Sequence, residues 1–199
     1  MRIIAGLYRG RILKTLPGQT VRPTGDRLRE TLFDVLGASV SESTFIDAYA
    51  GSGAVGLEAL SRGAKRVWLI EENAAAAKMI QSNIEMLSAA ELATLLRSSV
   101  RQGLRALEKR GVEADFCFLD PPYEEMREYA ATLRLLRGSP LITPRSLVIV
   151  QHSRKLALDE QFGGLARVRL LNQSSNALSF YRIVQQQPPP FDPPKAARV

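Results

Sequence analysis

The chain has 199 residues, a net charge of +7 and 45% apolar residues, which fits one globular domain and excludes a fibrous or largely disordered protein. Its longest apolar runs, such as Val67 to Ile70 and Phe116 to Leu119, fall far short of the roughly 18 residues that span a bilayer, and the opening residues lack the core and cleavage site of a secretory signal. The single Cys117 permits no internal disulfide and no multi-cysteine zinc site, so a metal-free protein in a reducing cytoplasm, outside any membrane, is expected.

The basic charge is concentrated at the start. Residues 1–30 carry Arg2, Arg9, Arg11, Lys14, Arg22, Arg27 and Arg29 against Asp26 and Glu30. That is the footprint of a surface that meets phosphate backbone, and arginine's planar fork suits bidentate phosphate contact. A solvated basic face is the alternative from composition alone. Gly6, Gly10 and Pro17-Gly18 punctuate this stretch as a hairpin-like arm over 1–25. Thr24 or Gly25 then caps a helix from Asp26 to Leu36.

A strand-helix rhythm follows. Strands are expected at Thr44–Ala48, Arg66–Ile70, Thr94–Arg97, Asp115–Leu119 and Ser146–Gln151, and helices at Ala54–Ser61, Ala74–Leu87, Gln102–Lys109 and Glu124–Arg137. Short apolar strands alternating with helices build a parallel sheet covered on both faces. Arg167–Asn172 and Ala177–Val184 then read as a hairpin closing one edge antiparallel, for seven strands in all. The main domain would run over 26–184, and the Pro- and Gln-rich stretch 185–199 reads as a disordered tail.

Two motifs carry chemistry. The first strand runs into Asp47-Ala48-Tyr49-Ala50-Gly51-Ser52-Gly53-Ala54-Val55-Gly56, a G-x-G-x-x-G turn whose backbone N–H groups approach a ligand at a helix N-terminus. Glu71 ends the next strand, where a carboxylate accepts from ribose hydroxyls. The pair favours an adenosine-type ligand. Dinucleotide enzymes share this arrangement, but a carboxylate at Asp47 repels a pyrophosphate and attracts a cation, as S-adenosylmethionine is; Asp47 as a simple turn former is the alternative. The second motif is Asp120-Pro121-Pro122-Tyr123 after the most apolar strand. Ligands of open α/β sheets sit beyond the carboxyl ends of strands, so both motifs should face one crevice. An acceptor-only carboxylate, a carbonyl left exposed by the stiff diproline turn and an aromatic ring suit a flat base bearing an exocyclic amine.

These stretches, together with Arg2-Ile3-Ile4-Ala5-Gly6, Arg22-Pro23-Thr24, Asp26 to Phe33 and Leu57 to Ala64, resemble the bacterial RsmD-type ribosomal RNA guanine-N2 methyltransferases over residues 1–184. The resemblance implies a Rossmann-like class I fold and transfer of a methyl group from S-adenosylmethionine to a guanine N2 amine in small-subunit ribosomal RNA, free or in an assembling subunit. Carried over by position, Asp47, Ala50, Gly51, Ser52, Gly53, Gly56 and Glu71 would meet cofactor. Asp120, Pro121, Pro122 and Tyr123 would hold the base, and Arg2, Arg9, Arg11, Arg22, Thr24 and Arg29 would meet RNA. Ser99 stands where relatives often carry Asp or Asn toward the adenine amine.

Cys117 reads as a core residue and His152 as structural or RNA-facing. Three alternatives stay open: another amino-group methyltransferase, such as an adenine-N6 enzyme; an NAD-binding oxidoreductase, which leaves Asp47 and the diproline turn unexplained; and a non-catalytic RNA-binding protein. A monomer is the default.

Overall fold

The computed structural model describes residues 1–15, 23–121 and 126–184. Eight strands form one sheet, β1 (Thr44–Asp47), β2 (Arg66–Ile70), β3 (Ala93–Leu96), β4 (Ala114–Leu119), β5 (Ile142–Ser153), β6 (Gln161–Phe162), β7 (Leu165–Gln173) and β8 (Asn176–Ile183). Their order is β3-β2-β1-β4-β5-β8-β7-β6. The first five run parallel, and β6 to β8 join antiparallel. The eighth strand, β6, was not expected: two residues are too few to show alternation. The described residues also form helices α1 (Pro23–Leu36), α2 (Ala54–Ser61), α3 (Ala74–Met86), α4 (Val100–Lys109) and α5 (Met126–Leu136), with a 3-10 turn at Gly37–Val40.

The period-2 geometry of the strands divides the core in two. Phe45, Val67, Leu69, Phe116, Phe118, Leu147 and Ile149 face α1, α2 and α3. Their alternates Ile46, Ile70, Cys117, Leu119, Val148 and Val150 face α4 and α5. Cys117 is wholly buried on β4, between Ile46 of β1 and Val148 of β5. Residues at the ends of β1 and β4 therefore emerge side by side in the middle of the sheet, because Asp47 pairs with Phe118.

Several boundaries differ from expectation, most by one or two residues. Helix α1 begins at Pro23, three residues early, because a first-turn residue needs no backbone donor. Strand β5 begins at Ile142, before Pro144, and absorbs the proline through a register shift against β4. The β7–β8 turn is tighter than expected: Gln173 pairs with Asn176, and Ser174 takes a positive φ of 55°. The expected tail, 185–199, lies outside the described residues.

The basic arm is folded back on itself and seated on the domain. Ile3 N–H donates to Arg11 O at 3.0 Å, Gly10 N–H to Ile3 O at 2.9 Å and Leu13 N–H to Met1 O at 2.8 Å. Ile3 and Leu13 are buried in the core against α1, α2 and α3. The wholly buried Glu58 of α2 accepts from Ile4 N–H at 2.7 Å and Ala5 N–H at 3.0 Å, and its charge is met by Arg62 Nε at 2.8 Å. Asn83 of α3 holds Lys14 twice, accepting from its N–H at 2.9 Å and donating to its carbonyl at 3.1 Å. Gly6, at φ 82°, passes so close to α2 that a Cβ there would lie 1.8 Å from the Ser61 carbonyl oxygen; that carbonyl accepts from Leu7 N–H at 2.7 Å.

Candidate active site

Beyond β1 the chain turns through Tyr49 to Gly53 before α2 begins. Gly51 and Gly53 take φ of 53° and 76°, left-handed values that L side chains seldom adopt. Glu71 organises the turn from the end of β2: Oε2 accepts from Gly51 N–H at 2.8 Å and Oε1 from Asn73 N–H at 2.7 Å. Each oxygen keeps a lone pair for a hydroxyl donor. Gly56, expected to meet cofactor, instead does what the third glycine of such a turn does, packing helix on sheet. A Cβ there would lie 3.0 Å from Leu69 and Val67, so it lets α2 lie close on the sheet instead of meeting a ligand.

Asp47 is 1% exposed. Its Oδ2 accepts from Gly56 N–H at 2.9 Å, so the same residue that emerges at the strand end also caps the first turn of α2. Burial pushes its carboxyl up to about 7, against the pull of the Gly56 bond and with help from the Glu71 charge. Asp120 follows β4, accepts from Gln151 Nε2 at 3.0 Å and is likewise raised to about 7, by burial and then by the Asp47 charge. Because the Asp47 charge raises Asp120, the two carboxyls titrate as a coupled pair.

These acids line two adjoining cavities. One, of about 590 Å³, is bounded by Tyr49, Gly51, Glu71, Ser99, Asp120 and Pro121, with Arg101 and Glu128 at its rim. The other, of about 240 Å³, is bounded by Asp47, Ala50, Ser52, Phe118, Asp120 and Gln151 and roofed by Gly25, Leu28 and Arg29 of α1 with Met1. Tyr49, Gly51 and Asp120 belong to both. The glycine loop and the Asp-Pro turn thus share one crevice.

Helix α5 braces the crevice, a role no sequence signal marked. Tyr49 Oη donates to Glu128 Oε1 at 2.9 Å and lies 2.7 Å from Thr132 Oγ1; burial raises its phenol. Tyr129 Oη donates to the Pro121 carbonyl at 3.4 Å. That carbonyl is therefore not wholly free, as the diproline argument held, although a carbonyl oxygen has two lone pairs and this bond takes one. Ser99 caps α4, its Oγ accepting from Gln102 N–H at 3.4 Å, and also lines the larger cavity.

Among the expected RNA contacts, Arg2, Arg9 and Arg11 are exposed on the arm. Arg29 is not: it is 5% exposed, and its Nη2 donates to the Arg2 carbonyl at 2.7 Å and to Asp26 Oδ1 at 3.1 Å. It bolts the arm to α1, and its helical spacing, which put it on the core face, was the available signal. Arg22, Pro122 and Tyr123 lie outside the described residues, as does the side chain of Thr24. His152 is 2% exposed between Ser179 Oγ and the Ser153 carbonyl, both at 2.9 Å, and burial lowers its pKa; its ring faces no RNA.

The family model described as conserved hypothetical protein 95 matches residues 1–182. The chain is 34% identical over 187 residues to the Haemophilus influenzae protein named ribosomal RNA small subunit methyltransferase D, covering 93% of each. Among solved structures, the Thermus thermophilus hypothetical protein TTHA0928 is 29% identical with a TM-score of 0.77, covering 92% of this chain and 99% of that one. An RNA methyltransferase from Salinibacter ruber, solved with S-adenosyl-L-homocysteine, shares the fold at a TM-score of 0.61 and 16% identity, covering 86% of this chain and 99% of that one. The mostly parallel sheet with its antiparallel closing hairpin is a class I methyltransferase fold.

Proposed function

We propose, since the chain belongs to the conserved hypothetical protein 95 family of RsmD-type methyltransferases, that this S-adenosylmethionine-dependent ribosomal RNA methyltransferase acts on the N2 amine of a guanine in cytoplasmic small-subunit RNA. The observation that carries the proposal is the shared crevice, in which Asp120 belongs both to the cavity of Glu71 and to that of Asp47.

The donor set fits a cationic adenosine derivative. Glu71 would accept from the ribose hydroxyls, Ser99 would lie on the adenine side, and the loop from Ala50 to Gly53 would pass beneath the methionine end. Asp47 and Asp120 give the crevice a negative potential that favours a cation and, once one is bound, favours their own ionised forms. The cofactor supplies an electrophilic methyl group.

Asp120 and the remaining lone pair of the Pro121 carbonyl would accept the two hydrogens of the amine, which turns the nitrogen lone pair out of conjugation. Such catalysis is chiefly positioning. The amine is neutral, so no base is needed before attack; afterwards Asp120, raised toward neutrality, takes the surplus proton or passes it to water. Tyr123 would stack on the base.

The test is nucleoside analysis of ribosomal RNA digested after reaction with labelled cofactor. N2-methylguanosine is expected from small-subunit RNA, and none with Asp120→Ala, which retains RNA binding. Label in adenosine, or in DNA alone, overturns the proposal.

A further inference from the structure

Across α1 from the reacting crevice lies a third concavity that the proposed chemistry does not use. It measures about 530 Å³ and is walled by Arg2, Ile3 and Arg9 of the arm and by Asp26, Arg27 and Glu30 of α1. Arg27 was passed over in the sequence in favour of Arg29, yet Arg29 is buried and engaged while Arg27 is exposed. Among the described residues, no opposite charge lies within 4.0 Å of Arg2, Arg9 or Arg27. Three unpaired guanidinium groups gathered in a concave wall repel one another, and an anion relieves that repulsion.

The walls also fix the relation of this cleft to the crevice. Met1 faces the crevice and Arg2 the cleft; on α1, Gly25, Leu28 and Arg29 face the crevice and Asp26, Arg27 and Glu30 the cleft. The bond from Arg29 to the Arg2 carbonyl ties the two walls together. The partition is thus a single helix with the start of the arm, about 10 Å across. A polynucleotide with one base in the crevice can therefore bring the phosphates next to that base up to this partition.

We propose that the cleft is a discrete phosphodiester site, which takes a backbone phosphate of a nucleotide flanking the target base on the same RNA strand. Arg2, Arg9 and Arg27 supply the donors. Asp26 and Glu30 in the same wall set its valence, because their charges oppose a polyphosphate while tolerating the single charge of a diester. The site deepens the RNA reading above and rests on it. It differs from a diffuse basic face in being one pocket with a fixed offset from the reacting centre.

The test uses the full chain with a fluorescein-labelled single-stranded RNA of about 12 nucleotides, its affinity followed by anisotropy against salt. Arg9→Ala and Arg27→Ala each remove one exposed guanidinium and should weaken binding about tenfold and lower the slope of log affinity on log salt by about one. Arg27→Lys should restore part of the affinity. Lys109→Ala, which deletes one charge at the far end of α4, should change neither. Equal losses from Lys109→Ala would mean a net-charge effect and overturn the site. Unchanged RNA affinity with reduced methylation of ribonucleoprotein would also overturn it, assigning the cleft to a protein. Wild-type methyl transfer is scored in parallel: its absence sinks the function reading, whereas transfer and RNA binding indifferent to both arginines sink the cleft alone.

Discussion

The Asp47 carboxyl is wholly enclosed and held near 7 by burial, so its charge is a burden on the folded chain that Asp47→Asn removes. An unfolded aspartate titrates near 3.8, so between 3.8 and 7 the native state binds the extra proton and stability falls as pH rises. From about pH 5 to about pH 8 the wild type should lose roughly 2 pK units' worth for this group, about 3 kcal/mol. The variant keeps an oxygen for the Gly56 N–H, and its amide adds a penalty of about 1–3 kcal/mol for any unmatched N–H. That penalty is the same at both pH values and cancels in the difference between them. Denaturant unfolding of wild type and variant, without ligand, at the two pH values measures the quantity directly. The gap between the two proteins should move by about 3 kcal/mol in the variant's favour on going to the higher pH. Loss of the Asp47 charge also relieves Asp120, which acts in the same direction. A gap independent of pH would refute the claim that burial of this carboxyl strains the fold, and with it the electrostatic case for a cationic ligand.

The same dyad gives a kinetic expectation: kcat/KM for cofactor should rise through an apparent pKa of about 7, since the free enzyme must ionise to attract the cation; a flat profile from pH 6 to 8 contradicts this. Glu58→Ala strips the acceptor from Ile4 and Ala5 and leaves Arg62 without its partner. It should cost about 3 kcal/mol or more in denaturant unfolding, the usual penalty for breaking a buried pair, and a loss under 1 kcal/mol would argue against the anchor. Gly6→Ala places a methyl on the Ser61 carbonyl at a positive φ. It should lift this turn from α2, seen as faster hydrogen exchange at the Leu7 and Tyr8 amides, with native protection counting against the contact.

The strands were legible where both faces are buried, because β2 and β4 carry the apolar runs Val67 to Ile70 and Phe116 to Leu119 and β1 runs straight into the glycine turn. Strand β6 was not, since its two residues hold their place by pairing with Ala166 and Leu165. At the site, Gly51, Gly53 and Glu71 could be found from spacing, which follows from the strand-turn-helix geometry. The packing role of Gly56 follows from its place as the third glycine of the turn, but its partners Leu69 and Val67 appear only in the fold. Glu58 left one trace, a lone acid inside the apolar helix Ala54–Ser61, and its partners lie over 50 positions away on the arm. Glu128 and Tyr129 carry no motif, and their service to Tyr49 and Pro121 arises only when α5 folds back across the crevice.

The one thiol of the chain lies on β4, in the middle of the sheet and fully shielded. Burial raises its pKa and keeps it protonated, so a maleimide or disulfide reagent cannot reach it through loop fluctuations or fraying of an edge. Its modification rate therefore counts the population of molecules that have opened globally. The protein carries an intrinsic reporter of unfolding that needs no engineered label and leaves every residue around the crevice untouched.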